Sequence, residues 1–500
     1  MSRNLFNATV FLSAALLLGR LSGMVRELII GNKLGATADT DAVLLMLTLP
    51  DLLVGLILSG GFSAVLVPAF RRAAPAQRTA QARKTALFSL LVGLFLAIAI
   101  ASFTAPVLGF LAQTLDYDDL PGFGFAFQVS LLTIPLAALI GCITAYLHSV
   151  GKFSVAAVSV VVFNLVIAFY VAFMAVPVGY IAFSICLLTA MSIRMLVQMA
   201  QAPEIFRTQA QNAQFDEGTL KRFLQAVLAN GLIVAVPLLF RSLHSAGGEG
   251  YLSQFNFAIR LYELPNAIFV APLVSIFLPF LTDAYTKDRQ HFEKSLEEAL
   301  EIAFGVSLVA AVIGAANAYP ITSLLFGYGG MTEESLDRIA TLLSILLLSL
   351  PFAAIFQISS AALYATNNTK RVMSNSVIAL SASLAVFYVL AYLNISQLNS
   401  AISILAFNAF AAFLNLVTLF RVGLITKLMS RFGWQAAKVS VVMVPFLILM
   451  WNMSPPQLWL SMVLVVMQTI ALLAVSSKLV LRLKAMRLAK AETASSNDQG

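Results

Sequence analysis

Charge is what this chain has least of. Asp, Glu, Lys and Arg make up 11% of its 500 residues, against about a quarter in an ordinary soluble domain. So little charge excludes a disordered interaction protein, and it excludes a soluble enzyme, whose water-facing surface could not be covered. Cysteine is scarcer still: Cys142 and Cys186 are the only two, each inside an apolar run. That excludes a secreted disulfide scaffold, and both read as small hydrophobes packed in helices with no metal role. What the chain has instead is apolar bulk, 60% of all residues. The composition is that of an all-α polytopic membrane protein.

The 31 Lys and Arg outnumber the 23 Asp and Glu, yet no basic stripe with interleaved aromatics suggests nucleic acid. The basic residues fall between apolar segments, where membrane topology explains them. Arg3 and the run from Ala8 to Gly19 imitate a secretory signal, but apolar character continues past Arg20 to Ile30. This stretch is expected to be a retained first helix.

With a span of roughly 20 residues as the unit, about fourteen transmembrane helices are expected. They centre near Leu17, Leu56, Phe95, Leu136, Phe163, Leu188, Val234, Val270, Leu308, Ile345, Ala379, Phe407, Pro445 and Val466. An even number places both termini on one side. Most basic residues, including the Arg71 to Lys84 connection and the Lys478 to Lys490 tail, share that side, whereas the opposite loops carry Asp116, Asp118, Asp119, Glu333, Glu334 and Asp337. Both termini are therefore expected in the cytoplasm.

Sliding the chain on itself by about 215 residues brings features into register, the trace of a duplicated helical lobe. Leu49-Pro50-Asp51 meets Leu264-Pro265-Asn266, Arg26 meets Arg241, and one residue further on Pro135-Leu136-Ala137-Ala138-Leu139 meets Pro351-Phe352-Ala353-Ala354-Ile355. The expected organisation is two six-helix lobes in parallel repeat, 1–202 and 219–426, around a central cavity. A cytoplasmic linker at 203–218, a helix pair at 437–480 and a cytoplasmic tail at 481–500 complete it.

An ionisable side chain at a helix centre costs roughly 2.5–3.5 kcal/mol on insertion scales, so each implies a partner, a wet cavity or a function. On the first helix Arg20 and Glu27 share a face and Arg26 points about a third of a turn away. Asp41 enters the second helix, and Asp51 follows Pro50. On the eighth, Arg260 and Glu263 stand within reach of each other just before Pro265. Arg20, Arg26 and Arg260 are the candidate substrate-binding residues, with Glu27, Asp41 and Glu263 as gating and ion-pairing acids. Pro50 and Pro265 are the candidate hinges. Arg194, Arg241 and Arg421 stand nearer span ends, where snorkelling is expected. The planar fork of arginine suits phosphate oxygens, so such a set favours an anionic headgroup, with diphosphate a good candidate.

The first two helices read Gly19-Arg20-Leu21-Ser22-Gly23-Met24-Val25-Arg26-Glu27, then Gly35-Ala36-Thr37, Thr40-Asp41-Ala42, Leu49-Pro50-Asp51-Leu52-Leu53, Gly60-Gly61-Phe62-Ser63 and Val67-Pro68. With Arg260-Leu261-Tyr262-Glu263-Leu264-Pro265 and Leu278-Pro279, this resembles the MurJ/MviN family of lipid II flippases, in the multidrug/oligosaccharidyl-lipid/polysaccharide exporter superfamily. The resemblance implies a cationic cavity, lined at Arg20, Arg26, Asp41, Arg260 and Glu263, for the diphosphate-sugar headgroup of an undecaprenyl-linked peptidoglycan precursor. It implies alternating access in a bacterial inner membrane, with no ATP or other cofactor and with coupling to membrane potential or a monovalent ion. Partners would be the lipid-linked saccharide, the bilayer and candidate cell-wall or polysaccharide synthesis enzymes.

The chain departs from the family where an arginine pair and a glutamate are usual, having Val54-Gly55 and Ser59, with Glu27 in place of aspartate and Asp51 in place of asparagine. Cargo therefore stays open between lipid II and an exopolysaccharide or other lipid-linked oligosaccharide. A cation-coupled drug antiporter would want an acid-dominated cavity instead. An enzymatic role finds only Asp116-Tyr117-Asp118, which reads as a solvated loop.

Overall fold

The computed structural model describes residues 3–56, 65–115, 119–207, 234–366, 368–393 and 398–425. Helices are the only regular elements among them. Lipid imposes this, because a backbone there must meet its own polar groups. Among the described residues nine helical stretches are long and apolar enough to cross a membrane, and the chain is a multi-pass membrane protein. The expected spans at Pro445 and Val466, the pair 437–480, the tail 481–500, most of the linker 203–218, Asp116 to Asp118 and Ser59 lie outside the described residues.

The fold comprises two compact units. One holds Phe11–Phe257 with Phe326–Ser335; the other holds the described residues of Met1–Val10, Ala258–Leu325 and Leu336–Gly500. In chain order the helices are α1 (Arg3–Leu34), α2 (Ala38–Leu56), α3 (Val67–Arg72), α4 (Pro75–Ser102), α5 (Thr104–Leu111), α6 (Phe123–Ser130), α7 (Thr133–Ser149), α8 (Phe153–Phe173), α9 (Tyr180–Ala200) and α10 (Glu204–Arg207). There follow α11 (234–244) and α12 (Tyr251–Pro265), then α13 (Ala271–Lys287), α14 (Arg289–Ala316), α15 (Ala318–Phe326), α16 (Glu333–Leu348), α17 (Leu350–Ala365), α18 (Thr369–Tyr392) and α19 (Asn399–Arg421).

The duplication expected from the sequence recurs as element order. α4 and α14 are both 28 residues long, and each is followed by a short helix, a broken helix pair and two spans. In the first unit α4 packs on α7, α7 on α9 and α8 on α9; in the second α14 packs on α17, α17 on α19 and α18 on α19. The break in each pair has a cause in the sequence. Pro135 and Pro351 lack the N–H that would continue the preceding helix, so α6 stops before α7 and α16 before α17. The crossing of α4 and α7 is close because Ala82, Ala86, Ser89, Gly93 and Ala97 are the buried stripe of α4. A Cβ on Gly93 would lie 2.7 Å from Pro135 Cα, so small side chains here do the packing that apolar driving force cannot do in lipid. The other face of α4 exposes Leu87, Phe88, Leu91, Leu94, Phe95 and Ile98, as a lipid-facing side should.

Outside the membrane-spanning segments, α14 begins at a capping Asp288. Its Oδ1 accepts the His291 N–H at 2.7 Å, and that bond with the His291 ring holds its carboxyl below the ordinary range.

One loop from late in the chain is built into the first unit. The Phe326 ring packs tilted against that of Phe257, centres 4.8 Å apart, and Gly330 donates its N–H to the Asn32 carbonyl of α1 at 2.9 Å. Gly329 adopts φ +74°, and a Cβ there would fall 1.9 Å from Asn32 O. Gly151 also has positive φ, +82°, but faces open space. Replacing each by Ala separates the two effects. Gly151→Ala is expected to cost only the left-handed penalty, roughly 1–2 kcal/mol, whereas Gly329→Ala must also push apart two backbones. The unfolding midpoint of the purified protein should fall further for Gly329→Ala; equal shifts would show that the loop yields freely.

Candidate functional site

The first unit gathers its charge around Arg26. This side chain leaves α1 for the interior and keeps 2% of its surface exposed. A guanidinium so placed costs several kcal/mol of desolvation unless it is paired, and three acceptors meet its terminal nitrogens. Nη2 donates to Glu27 Oε1 at 2.9 Å and to Asp51 Oδ2 at 3.0 Å, and Nη1 donates to Asn164 Oδ1 at 3.1 Å. Adjacent residues on a helix do not face each other. Arg26 and Glu27 meet because both long stems turn toward polar partners on other helices. Asn164, on α8, is held in turn by donating to Ser22 Oγ at 3.0 Å.

The network continues through Glu27, whose Oε2 accepts from Asn256 Nδ2 at 3.2 Å. Asn256, on α12, accepts from Arg241 Nη1 at 3.0 Å. The other Arg241 nitrogen donates to Thr48 Oγ1 on α2, and Thr48 donates to Leu44 O at 2.5 Å. Residues of five helices, α8, α1, α12, α11 and α2, all within Phe11–Phe257, are thereby tied by side chains through a buried path. Two guanidinium groups and two carboxylates lie along or beside it.

Asp41 occupies a different position. Its Oδ2 accepts the Gly250 N–H at 2.9 Å and its Oδ1 the Ser253 N–H at 2.8 Å. The buried carboxylate thus caps α12, meeting orphan donors at the positive end of that helix. By sequence it is an acid placed to hold an arginine; both oxygens are instead engaged by backbone. Pro50 is buried within α2, whereas Pro265 ends α12 and is followed by the wider π turn Asn266–Val270.

In the second unit Arg260 Nη1 donates to Glu263 Oε2 at 3.2 Å, one turn apart on α12, with side chains 32% and 43% exposed. Arg20 is exposed on α1 and is not brought to the Arg26 cluster. Arg194 and Arg241, expected to reach span ends, are instead buried, with 4% and 7% of their surfaces exposed. Asn164, Asn256 and Thr48 were not singled out from sequence; their signal was a polar side chain inside an apolar helix. Among the described residues no group of three or more His, Cys, Asp or Glu converges as metal ligands would.

Asp41→Ala would leave the Gly250 and Ser253 donors buried without an acceptor. The expected loss is about 2 kcal/mol, read as a lower unfolding midpoint in detergent. Asp41→Asn, which keeps one oxygen, should lose less. An unchanged midpoint in Asp41→Ala would dismiss the cap.

Comparison with known proteins places this geometry. The family model described as Lipid II flippase MurJ matches residues 30–481. Lipid II flippase MurJ of Burkholderia cenocepacia is 25% identical over 387 residues, covering 73% of this chain and 74% of that protein. The probable lipid II flippase MurJ of Aquifex aeolicus is 25% identical over 381 residues, with the same shares. The solved lipid II flippase MurJ in its inward closed conformation superposes with a TM-score of 0.77 at 16% identity, over 94% of this chain and 100% of that one. An inward-facing multidrug resistance MATE family transporter of the MOP superfamily gives 0.66 at 16% identity, over 81% and 94%. At such identities the structures speak for the fold alone, while the family match spans nearly the whole chain. The protein belongs to the MurJ family.

Proposed function

We propose that this chain is a transporter that carries lipid II, a polyprenyl-diphosphate-linked saccharide, from the cytoplasmic to the periplasmic leaflet of a bacterial inner membrane. Both termini are cytoplasmic in this reading, as the basic loops require. Support for lipid II over an exopolysaccharide precursor comes from the matched family and from the relatives, whose descriptions name it. The observation that carries the mechanism is Arg26, buried and already bound to two carboxylates.

Such a cation is held charged and oriented before cargo arrives. A diphosphate offers the fork of Arg26 a better partner than a carboxylate, since two phosphates spread more charge over more oxygens. It takes a donor from Glu27 or Asp51, and the acid takes it back when the headgroup leaves. Arg260 and Glu263 repeat the arrangement in a half-exposed setting, where exchange with a ligand costs less desolvation. No bond in the cargo is made or broken. Transport alternates access between leaflets, and moving one net charge through the full membrane potential is worth roughly 2.3 kcal/mol per 100 mV. Potential or a monovalent ion would thus suffice to drive the return step.

The test is growth rescue in a strain depleted of its own lipid II flippase. Wild type is expected to rescue, and Arg26→Ala and Arg260→Ala, each shown to be in the membrane, are expected to fail. Rescue by both variants would remove the arginines from the mechanism, and no rescue by expressed wild type would remove lipid II as cargo.

A further inference from the structure

Arg371 and Arg421 stand at the ends of two neighbouring spans, the first in the opening turn of α18 and the second at the last position of α19. These helices pack on each other, and a recess of about 370 Å³ between their ends is lined by Arg371, Thr418, Arg421 and Val422. Both arginines are exposed. Among the described residues neither guanidinium has a hydrogen-bond or ion-pair partner, and no acid lines the recess. Sidedness asks only that basic residues stand on one face of the membrane. It does not bring two of them to one recess, where like charges repel. Two guanidinium forks so placed are a donor set for an anion with several oxygens.

The walls of the recess are held from three helices. Asn375 of α18 donates to Asn415 Oδ1 at 2.9 Å and to Thr418 Oγ1 at 3.0 Å, both on α19, and Asn415 donates to Ser360 Oγ of α17 at 2.9 Å. Thr418, one turn before Arg421, is thereby fixed to α18. Past Arg421 the chain turns at Gly423, φ +71°, whose carbonyl accepts from Arg289 of α14. The Asn368 cap of α18 makes no side-chain bond to the helix start, so the first-turn N–H groups add their positive end on the Arg371 side.

The flanks of the recess select the kind of anion. Ile378, seven residues along α18 from Arg371 and so on the same face, is exposed. On α19 Phe420, beside Arg421, and Phe413, seven residues earlier, are exposed as well. Apolar side chains thus lead from the arginines along both spans. A free anion gains nothing from them, whereas a lipid can lay its tails there while its phosphate meets the guanidinium groups.

We infer that this recess binds the phosphate of an anionic phospholipid headgroup, taken from the leaflet that the basic loops face. Arg371 and Arg421 supply the donors, Thr418 and Val422 line the space between them, and the bound lipid ties α18 to α19 at that end. The site shares no residue with the Arg26 and Arg260 arrangements and does not depend on the identity of the cargo.

Phosphatidylglycerol with a photoactivatable group in its acyl chain tests this, using full-length protein in phosphatidylcholine nanodiscs. Crosslinks are expected on the peptides that hold Ile378, Phe413 and Phe420. Arg371→Gln and Arg421→Gln should each raise the probe level needed for half-maximal labelling there about tenfold. Lys370→Gln removes an adjacent exposed charge that does not line the recess and should change it less than about twofold. Equal losses in all three variants would reveal unspecific attraction to a basic surface and overturn the proposal. Labelling that neither arginine variant changes overturns it too. Displacement of the probe by inorganic phosphate at the same concentration would make the recess a free-anion site, and preferential displacement by undecaprenyl diphosphate would give it to the cargo; either result refutes the phospholipid. If a Gln variant does not fold, wild type decides alone: phosphatidylcholine bearing the same group must label these peptides about tenfold less well, and equal labelling refutes an anionic site.

Discussion

A charge in a low-dielectric interior must have company, and the first unit is arranged around that constraint. Arg26 cannot be buried without Glu27, Asp51 and Asn164. Glu27 in turn needs Asn256, and Asn256 holds Arg241. Each partner arrives from a different helix, so satisfying one guanidinium fixes the relative placement of several spans that apolar packing alone would leave free to slide in lipid. The network that keeps the cation is thus the network that sets helix register.

The scaffold around the network follows more ordinary rules. Small residues on α4 let α7 approach, and large apolar residues on its far side face outward. Prolines break the helix pairs at α6–α7 and α16–α17, at the same place in each repeat. Because the elements recur in order, the two units share a packing scheme while their polar contents differ. Among the described residues the first buries charge, and the second buries amides and hydroxyls, such as Asn375 on Asn415 and Asn415 on Ser360. Duplicated architecture has been given unlike interiors.

Much of this was legible beforehand. Scarce charge and long apolar runs dictated spans, and Pro135 against Pro351 disclosed the duplication, because a proline marks a helix break at a fixed place whatever surrounds it. Arg26 and Glu27 stood out since charge inside an apolar run is costly. What stayed hidden were relations across helices. Asp41 looks like an acid awaiting an arginine, but the backbone of Gly250 and Ser253, some two hundred residues away, is what it meets. Arg194 and Arg241 looked like snorkelling side chains, since position along a helix is readable and the direction of a side chain among neighbouring spans is not.

The loop Phe326–Ser335 belongs to the first unit although it is encoded well after that unit's other residues. Phe326 closes over Phe257, and Gly330 is bonded to the carbonyl of Asn32 at the end of α1. A ribosome therefore delivers nearly every span of the first unit, and then two membrane-long stretches reaching into the second, before supplying the piece that completes the first. The two halves cannot mature one after the other during membrane insertion. The first must wait, partly assembled, with the Phe257 face uncovered, until the later strand of the nascent chain threads back to it.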